Sequence, residues 1–301
     1  MDLRKIDWAL EAYRQTLGED DIRRLAFFRG LWALQQGHID SADASGDYQM
    51  PDKARAERWY WGEKPLFLMA PVIVDNSRLA AAAQDCATYI AENAGLEPES
   101  AAQLATYNWH SLIEGSDSAM AGKNPASWLA RTQQLALETG PGQEAPIGVL
   151  LGVVLACALR TVLEPAASKV AAILDVEDPE RTHVHPLRCP TCGTHATVGF
   201  VGPLHATEGN ARLLYCSTCG TTWEFERIRC GRCGSRVQRK LHYCHIEGDG
   251  AHRLHLCDEC GDYLRTVFGN ESPAPLSFEV EDVVMSRLDM VAHTSTESNK
   301  P

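Results

Sequence analysis

Residues 189–192 read CPTC, followed by Gly193, and the step returns as CSTCG at 216–220, CGRCG at 230–234 and CDECG at 257–261. The four steps form two matched frames. Cys189, Cys192, Cys216 and Cys219 each recur 41 residues later, at Cys230, Cys233, Cys257 and Cys260. Both frames therefore read C-x2-C-x23-C-x2-C. Other residues keep the same offset: Gly193 maps to Gly234, Gly209 to Gly250, Arg212 to Arg253, Leu213 to Leu254 and Gly220 to Gly261. Self-similarity on a fixed period marks a repeated structural unit.

The spacing has a geometric reason. Two cysteines three apart in a tight turn aim both sulfurs at one centre, and the following glycine relieves the left-handed backbone there. Two such knuckles joined by a hairpin close a tetrahedral S4 cage. Each unit is too small to bury a useful core, so metal ligation replaces packing as its main stabiliser. The frames predict two rubredoxin-like or zinc-ribbon modules in tandem, with Cys189, Cys192, Cys216 and Cys219 as site 1 and Cys230, Cys233, Cys257 and Cys260 as site 2. A crossed pairing, 189/192 with 257/260, is conceivable, but the repeat favours sequential frames. An S4 cage suits zinc or iron.

Composition supports metal over disulfide. The chain has 301 residues, enough for one large domain or two smaller ones, with 45% hydrophobic and 23% charged residues. Its opening, MDLRKIDWALEAYRQTL, reads as a charged amphipathic helix rather than a secretory leader. The longest apolar run, Ile147 to Leu159, is 13 residues, short of a bilayer span. A cytoplasmic protein is expected, and a reducing compartment disfavours disulfides. Nine of 11 cysteines and eight of 11 histidines fall within 183–260. Net charge is −12, yet residues 186–270 carry a formal +2. So acidic a chain is a poor general nucleic-acid binder.

Upstream of the frames the period is helical. Leu3, Ile6, Leu10, Tyr13 and Leu17 mark a helix over 3–17, and Ile22, Leu25, Phe28, Leu31 and Leu34 another over 20–36. Residues 37–62 read as a loop with one short helix near 54–61, and EKPLFLMAPVIVD as an extended or broken apolar segment. Helices are expected at 76–94, 98–114, 125–139 and 146–174, with Pro165 breaking or kinking the last. The fold class is thus α+β: a helical domain over 1–176, a linker at 177–186, metal modules at 187–228 and 229–270, and a C-terminal helix with a disordered tail over 271–301. Short β-like runs, ATVGFVG, RLLYC, TTWEFERI and RLHLC, lie within the modules, and 279–292 reads as the last helix.

The segments CPTCG, LLYCSTCGTTWEFERIRCGRCGS, KLHYC and LCDECGDYL resemble the FdhE family of formate dehydrogenase accessory proteins. The resemblance covers about 187–292, and EKPLFLMAP is similar to a family segment nearer the N-terminus. It implies a cytoplasmic, non-catalytic assembly factor that binds the catalytic subunit of a respiratory formate dehydrogenase before export. It also implies that the eight frame cysteines bind two metal ions, iron favoured over zinc. Cys244 and His245 depart from the family's pattern, which leaves an extra thiol near site 2.

Other residues carry weaker signals. Arg227, Arg229, Arg232, Arg236, Arg239 and Lys240 have no acid among them in sequence, and read either as a partner-docking patch or as a solvated face. Cys86 and Cys157 sit in apolar helices and read as small buried hydrophobes. Cys244 reads as a packed hairpin residue. His183, His185, His195 and His205 flank the first frame, where hydrogen bonding around the site is a better reading than ligation. His110 and Glu114, four apart, read as a helix pair. No Ser/His/Asp order, phosphate loop or dinucleotide fingerprint stands out, and no enzyme is expected. Membrane insertion and nucleic-acid binding are not expected, and a homodimer is compatible with the sequence. The alternatives are a double zinc-ribbon transcription adaptor and a rubredoxin-type electron carrier.

Overall fold

The computed structural model describes residues 1–45, 48–62, 64–139, 145–174, 185–203 and 211–289. Ten helices come first: α1 (Leu3–Tyr13), α2 (Glu19–Ser45), α3 (Lys53–Tyr60), α4 (Leu66–Met69), α5 (Asn76–Asn93), α6 (Pro98–Thr106), α7 (Trp109–Glu114), α8 (Ser118–Lys123), α9 (Pro125–Thr139) and α10 (Ala145–Ile173). Side-chain caps start several of them. Asp2, Asp52, Asp75, Asn108 and Asp117 each accept from backbone N–H groups of the first turn that have no partner within the helix. Most of the expected linker and tail, with His183, His205 and Gly209, lie outside the described residues.

Three helical expectations change. The loop expected from residue 37 is instead the end of α2, because Ile39 continues its buried stripe and the buried Gln35 donates from Nε2 to the Cys157 carbonyl of α10 at 3.0 Å. The helix expected over 98–114 is split. Tyr107 is extended, and Asn108 caps a new helix by accepting from Ser111 N–H at 3.0 Å. Pro165 does not break α10, which runs through it unbroken. Residues 147–173 of α10 have the length and apolarity of a membrane span. Here they pack as the central helix of the core, with Leu151, Val154, Leu155, Leu159 and Leu163 nearly inaccessible.

The metal frames contribute six strands: β1 (Val198–Gly202), β2 (Ala211–Tyr215), β3 (Thr222–Glu224), β4 (Leu241–His245), β5 (His252–Cys257) and β6 (Asp262–Phe268). They form one sheet in the order β3-β2-β1-β6-β5-β4. Each repeat is an antiparallel three-stranded unit. The units join where β1 pairs in parallel with β6, Val198 opposite Arg265. The second copy therefore lies beside the first, its strands running in the same sense. This placement makes equivalent strands unequal: β1 is internal and fully buried, whereas β4 is an edge strand exposed along most of its length. Arg212 and Arg253, equivalent in sequence, differ likewise. Arg212 is buried between the repeats, donating to the Arg229 carbonyl at 2.8 Å and to His255 Nδ1 at 2.9 Å, while Arg253 lies over the Phe268 ring at the surface.

The last helix, α11 (Phe278–Val284), clasps sheet and helices together. Val280, Val283 and Val284 pack with Ile6, Tyr13 and Trp32 of the first two helices, and Phe278 stacks on Tyr215 of β2 at 4.7 Å. Two buried polar networks fix it. Arg160 of α10 bonds Glu164 at 2.6 Å and Glu279 at 2.7 Å, and Tyr215 donates to Glu279 at 3.0 Å. Burial alone would raise the Glu279 pKa, but the Arg160 guanidinium holds it below the usual carboxylate range. In the second network, Tyr13 of α1 donates to Glu281 at 2.8 Å. His252 of β5 meets Glu281 at 3.0 Å and Asp249 at 2.8 Å, and Arg287 pairs with Asp249.

These contacts predict a pH profile. Burial opposes the charge on His252, but Asp249 and Glu281 outweigh it and raise its pKa from 6.5 to about 9. A histidine raised in this way contributes stability that is complete below pH 6.5 and is lost as pH rises through about 9, on the order of 3 kcal/mol. His255 is pushed the other way, to about 3, by burial and the Arg212 charge, so its protonation costs stability as pH falls below 6.5. Denaturant titrations from pH 5 to 10 should show both limbs. His252→Gln should flatten the alkaline limb and His255→Gln the acid limb. Unchanged limbs would show that these histidines do not set the profile.

Candidate metal centres

Each knuckle is built by backbone bonds that curl the chain around its sulfurs. In the first, Gly193 N–H donates to the Cys189 carbonyl and Cys189 N–H to the Thr194 carbonyl, both at 2.8 Å. The same pair recurs at Cys216, with Gly220 and Thr221 as partners, and at Cys230, with Gly234 and Ser235. At the fourth knuckle Gly261 N–H donates to Cys257 at 2.8 Å. The four glycines have φ between 70° and 82°, the left-handed region that closes these turns.

The sulfurs meet in sequential quartets, not crossed ones. In the first, Cys189–Cys219, Cys192–Cys216 and Cys216–Cys219 Sγ separations are 3.6, 3.5 and 3.8 Å. In the second, Cys230–Cys260 and Cys233–Cys257 are 3.9 and 3.8 Å apart. A disulfide would need about 2.05 Å. Four thiolates at about 2.3 Å from a central zinc or iron lie about 3.8 Å apart. Each quartet thus fits one tetrahedral metal ion, and all four ligand atoms of each lie within 4.8 Å of one another.

Backbone and hydroxyl groups serve the sulfurs. Cys192 N–H points at Cys189 Sγ at 3.5 Å, and Arg232 and Cys233 N–H point at Cys230 Sγ at 3.3 and 3.5 Å. Donors of this kind favour thiolate over thiol. The first quartet adds buried threonines: Thr194 Oγ1 lies 2.9 Å from Cys216 Sγ, and Thr221 Oγ1 3.2 Å from Cys219 Sγ. Burial pushes the Cys192 and Cys219 thiols up, whereas hydrogen bonds from Cys189, Cys192 and its other neighbours overcome burial at Cys216 and hold it well below its usual range. A cation is what allows all four to ionise together. The threonines follow the knuckle glycines in sequence, and that position is the signal that could have found them.

The quartets differ in setting. All four sulfurs of the first are within the main core, 0–2% exposed. The second has two buried members, Cys230 and Cys257, and two exposed ones, Cys233 and Cys260. The first is sealed by the helices. The N–H groups of Leu66 and Phe67, opening α4, donate to the Pro190 and Thr191 carbonyls of the knuckle at 2.8 Å. Gly193 abuts Pro65, where an added Cβ would stand 2.9 Å from the ring. Tyr60 of α3 is buried close by, its hydroxyl kept protonated by burial and by the charges of Cys189 and Cys219.

The other expected site residues disperse. Four of the six basic residues have acidic partners: Arg229 and Arg236 pair with Glu226 at 3.0 and 2.8 Å, Arg232 with Asp262 at 3.6 Å and Lys240 with Glu259 at 2.8 Å. Arg227 and Arg239 are exposed. Cys86 is buried and Cys157 half-buried, away from both quartets. Cys244 is not packed but exposed, because its strand is the sheet's edge. His185 and His195 flank the first knuckle without ligating, and His110 and Glu114 form an exposed pair at 3.4 Å.

Comparison with known proteins converges on one group. Residues 188–227, which hold the first quartet and β1–β3, match the family model described as FdhE, central domain. The chain is 31% identical over 131 residues to a protein named as an FdhE homologue in Rhizobium meliloti (strain 1021), and 27% identical over 180 residues to one in Edwardsiella ictaluri (strain 93-146). The alignments cover 42% and 59% of this chain and span 40% and 53% of those relatives' own lengths. The crystal structure of the FdhE protein from Pseudomonas aeruginosa shares the fold over 97% of this chain and 90% of that one, with a TM-score of 0.57 at 18% identity. The chain is thus similar to FdhE proteins in its first cysteine frame and in its overall fold. The resemblance seen in the sequence around the frames therefore holds, and FdhE-type architecture extends through the helical part as well.

The difference in burial predicts different lability. With a colorimetric chelator, metal should leave in two phases, the first from the quartet containing Cys233 and Cys260. Cys233→Ser should abolish that phase and leave the slow one. Cys192→Ser should instead destabilise the whole fold by about 4 kcal/mol or more, since it opens a buried cage. A single phase for both ions would contradict the assignment.

Proposed function

We propose that the protein is a cytoplasmic maturation factor for a respiratory formate dehydrogenase, binding the catalytic subunit before export and performing no catalysis of its own. The likeness to FdhE proteins carries this reading, and the unequal quartets support it. The buried first quartet would hold the joint between helices and sheet, whereas the half-exposed second would shape a docking face. In the chain near that quartet Ile228, Val237 and Tyr243 are 54%, 37% and 44% exposed, and Arg227 and Arg239 are exposed too. Exposed apolar residues gathered with arginines are the usual composition of a protein-binding surface. Iron is the favoured ion, on the strength of the family resemblance.

A second reading is a rubredoxin-type electron carrier, favoured by the exposure of Cys233 and Cys260. A nucleic-acid adaptor is disfavoured, because most of the basic stretch is already neutralised by Glu226, Glu259 and Asp262.

The direct test is co-purification of tagged protein with the formate dehydrogenase catalytic subunit, alongside formate dehydrogenase activity in a deletion strain. Wild type should capture the subunit and restore activity. Ile228→Asp with Tyr243→Ala should weaken capture roughly tenfold or more while leaving metal content unchanged. Full activity without this protein would refute the maturation role. Colourless protein with two zinc ions, still active in maturation, would eliminate the electron-carrier version.

A further inference from the structure

A cleft of about 870 Å³ opens between the helices and the outer side of the first knuckle. Its cations come from separate parts of the chain: Lys64 before α4, Lys123 at the end of α8, and Arg188 and Arg229 on either side of the first frame. Among the described residues no acidic side chain lines it. Arg229 is held in place by Glu226 and by donating to the His185 carbonyl at 2.8 Å. Lys64, Lys123 and Arg188 are exposed and make no ion pair with a described residue. In a chain of net charge −12, three cations set around one concavity, with no ion pair among the described residues, concentrate positive potential there.

The rest of the lining indicates the shape of the occupant. Leu68, Leu187 and Pro186 give an apolar floor, and the Trp61 and His185 rings meet edge-on at 5.9 Å. His185 Nδ1 is shielded from solvent and has no hydrogen-bond partner among the described residues. A small inorganic anion is bound by donors converging on one point. Here the cations are spread around an open cleft whose floor offers apolar contact, and its volume lies in the range of sites that enclose sizeable ligands. We propose that this cleft binds an acidic, extended segment of a partner protein, its carboxylates reaching Lys64, Lys123 and Arg188 while its backbone lies over the leucines. Cys189 and Cys192 border the cleft but are only 1% and 2% exposed, so the segment rests on the knuckle without reaching its sulfurs.

The inference is independent of which protein the chain matures. The full-length, metal-loaded protein is titrated against fluorescein-labelled hexaglutamate, with labelled hexaserine as control, and anisotropy is recorded at several salt concentrations. Wild type should bind hexaglutamate but not hexaserine, and more weakly as salt rises. The combined variant Lys64→Glu, Lys123→Glu, Arg188→Glu should bind at least about tenfold more weakly, with circular dichroism and metal content retained. Arg4→Glu with Lys5→Glu, on the exposed face of α1 and outside the cleft lining, should bind as wild type. Equal weakening by both variants, or by neither, would overturn the site. Displacement of hexaglutamate by inorganic phosphate at matched ionic strength would overturn the peptide assignment in favour of a small-anion site. Neither arm contains formate dehydrogenase, so failure here leaves the maturation role to its own test.

Discussion

The structure depends on a joint in which the opening turn of a four-residue helix meets a metal knuckle. Leu66 and Phe67 begin α4, and their N–H groups have no acceptor within so short a helix. They donate instead to Pro190 and Thr191, between the first two cysteines. Neither partner is self-sufficient. The knuckle is a loop without a core, and α4 is too short to persist in water. Pressed together they bury Leu66, Phe67 and the sulfurs of the first quartet in one continuous core with α5 and α10. Metal ligation and hydrophobic burial are therefore coupled at this point, and the sheet takes its position on the helices from it.

The second repeat lacks such a seat. Its spacing is the same, but it lies outboard of the first, joined through the parallel β1–β6 pair and the buried Arg212. Its own helical contact is made far from the cysteines, where Asp249 and His252 meet Tyr13 and Glu281. Two charged networks, one on Glu279 and one on Glu281, thus hold opposite sides of the first turn of α11 against different neighbours. Each glutamate is held by partners from different elements, which fixes the arrangement of the helix. That fits a helix which must register a sheet and a helical bundle at once.

Much of the site was legible because ligand chemistry is local. A C-x2-C step followed by glycine specifies its own turn, and the 41-residue offset specifies which steps belong together. Helix starts were legible for a similar reason, since proline and aspartate act within one turn. The misreadings involve longer reach. The end of α2 depends on Gln35 meeting Cys157 far along the chain, and the exposure of Cys244 depends on β4 falling at the sheet edge. Four of the six basic residues from Arg227 to Lys240 find acidic partners, Glu226 from just before the run and Glu259 and Asp262 from across the second cage. Conversely, Lys64, Lys123 and Arg188 are unremarkable in sequence and converge only in space.

The sequence alone determined the two cysteine quartets, the helical character of the N-terminal part and the likeness to FdhE proteins, because each rests on short-range stereochemistry or on a repeated spacing. It left open what the repeats are to each other and to the helices. Tertiary structure decided that they share one sheet, that one cage is sealed and the other half-open, and which distant cations line the same cleft. The physical reason is that burial and ion pairing depend on neighbours distant in sequence, so identical spacings acquire different environments once packed.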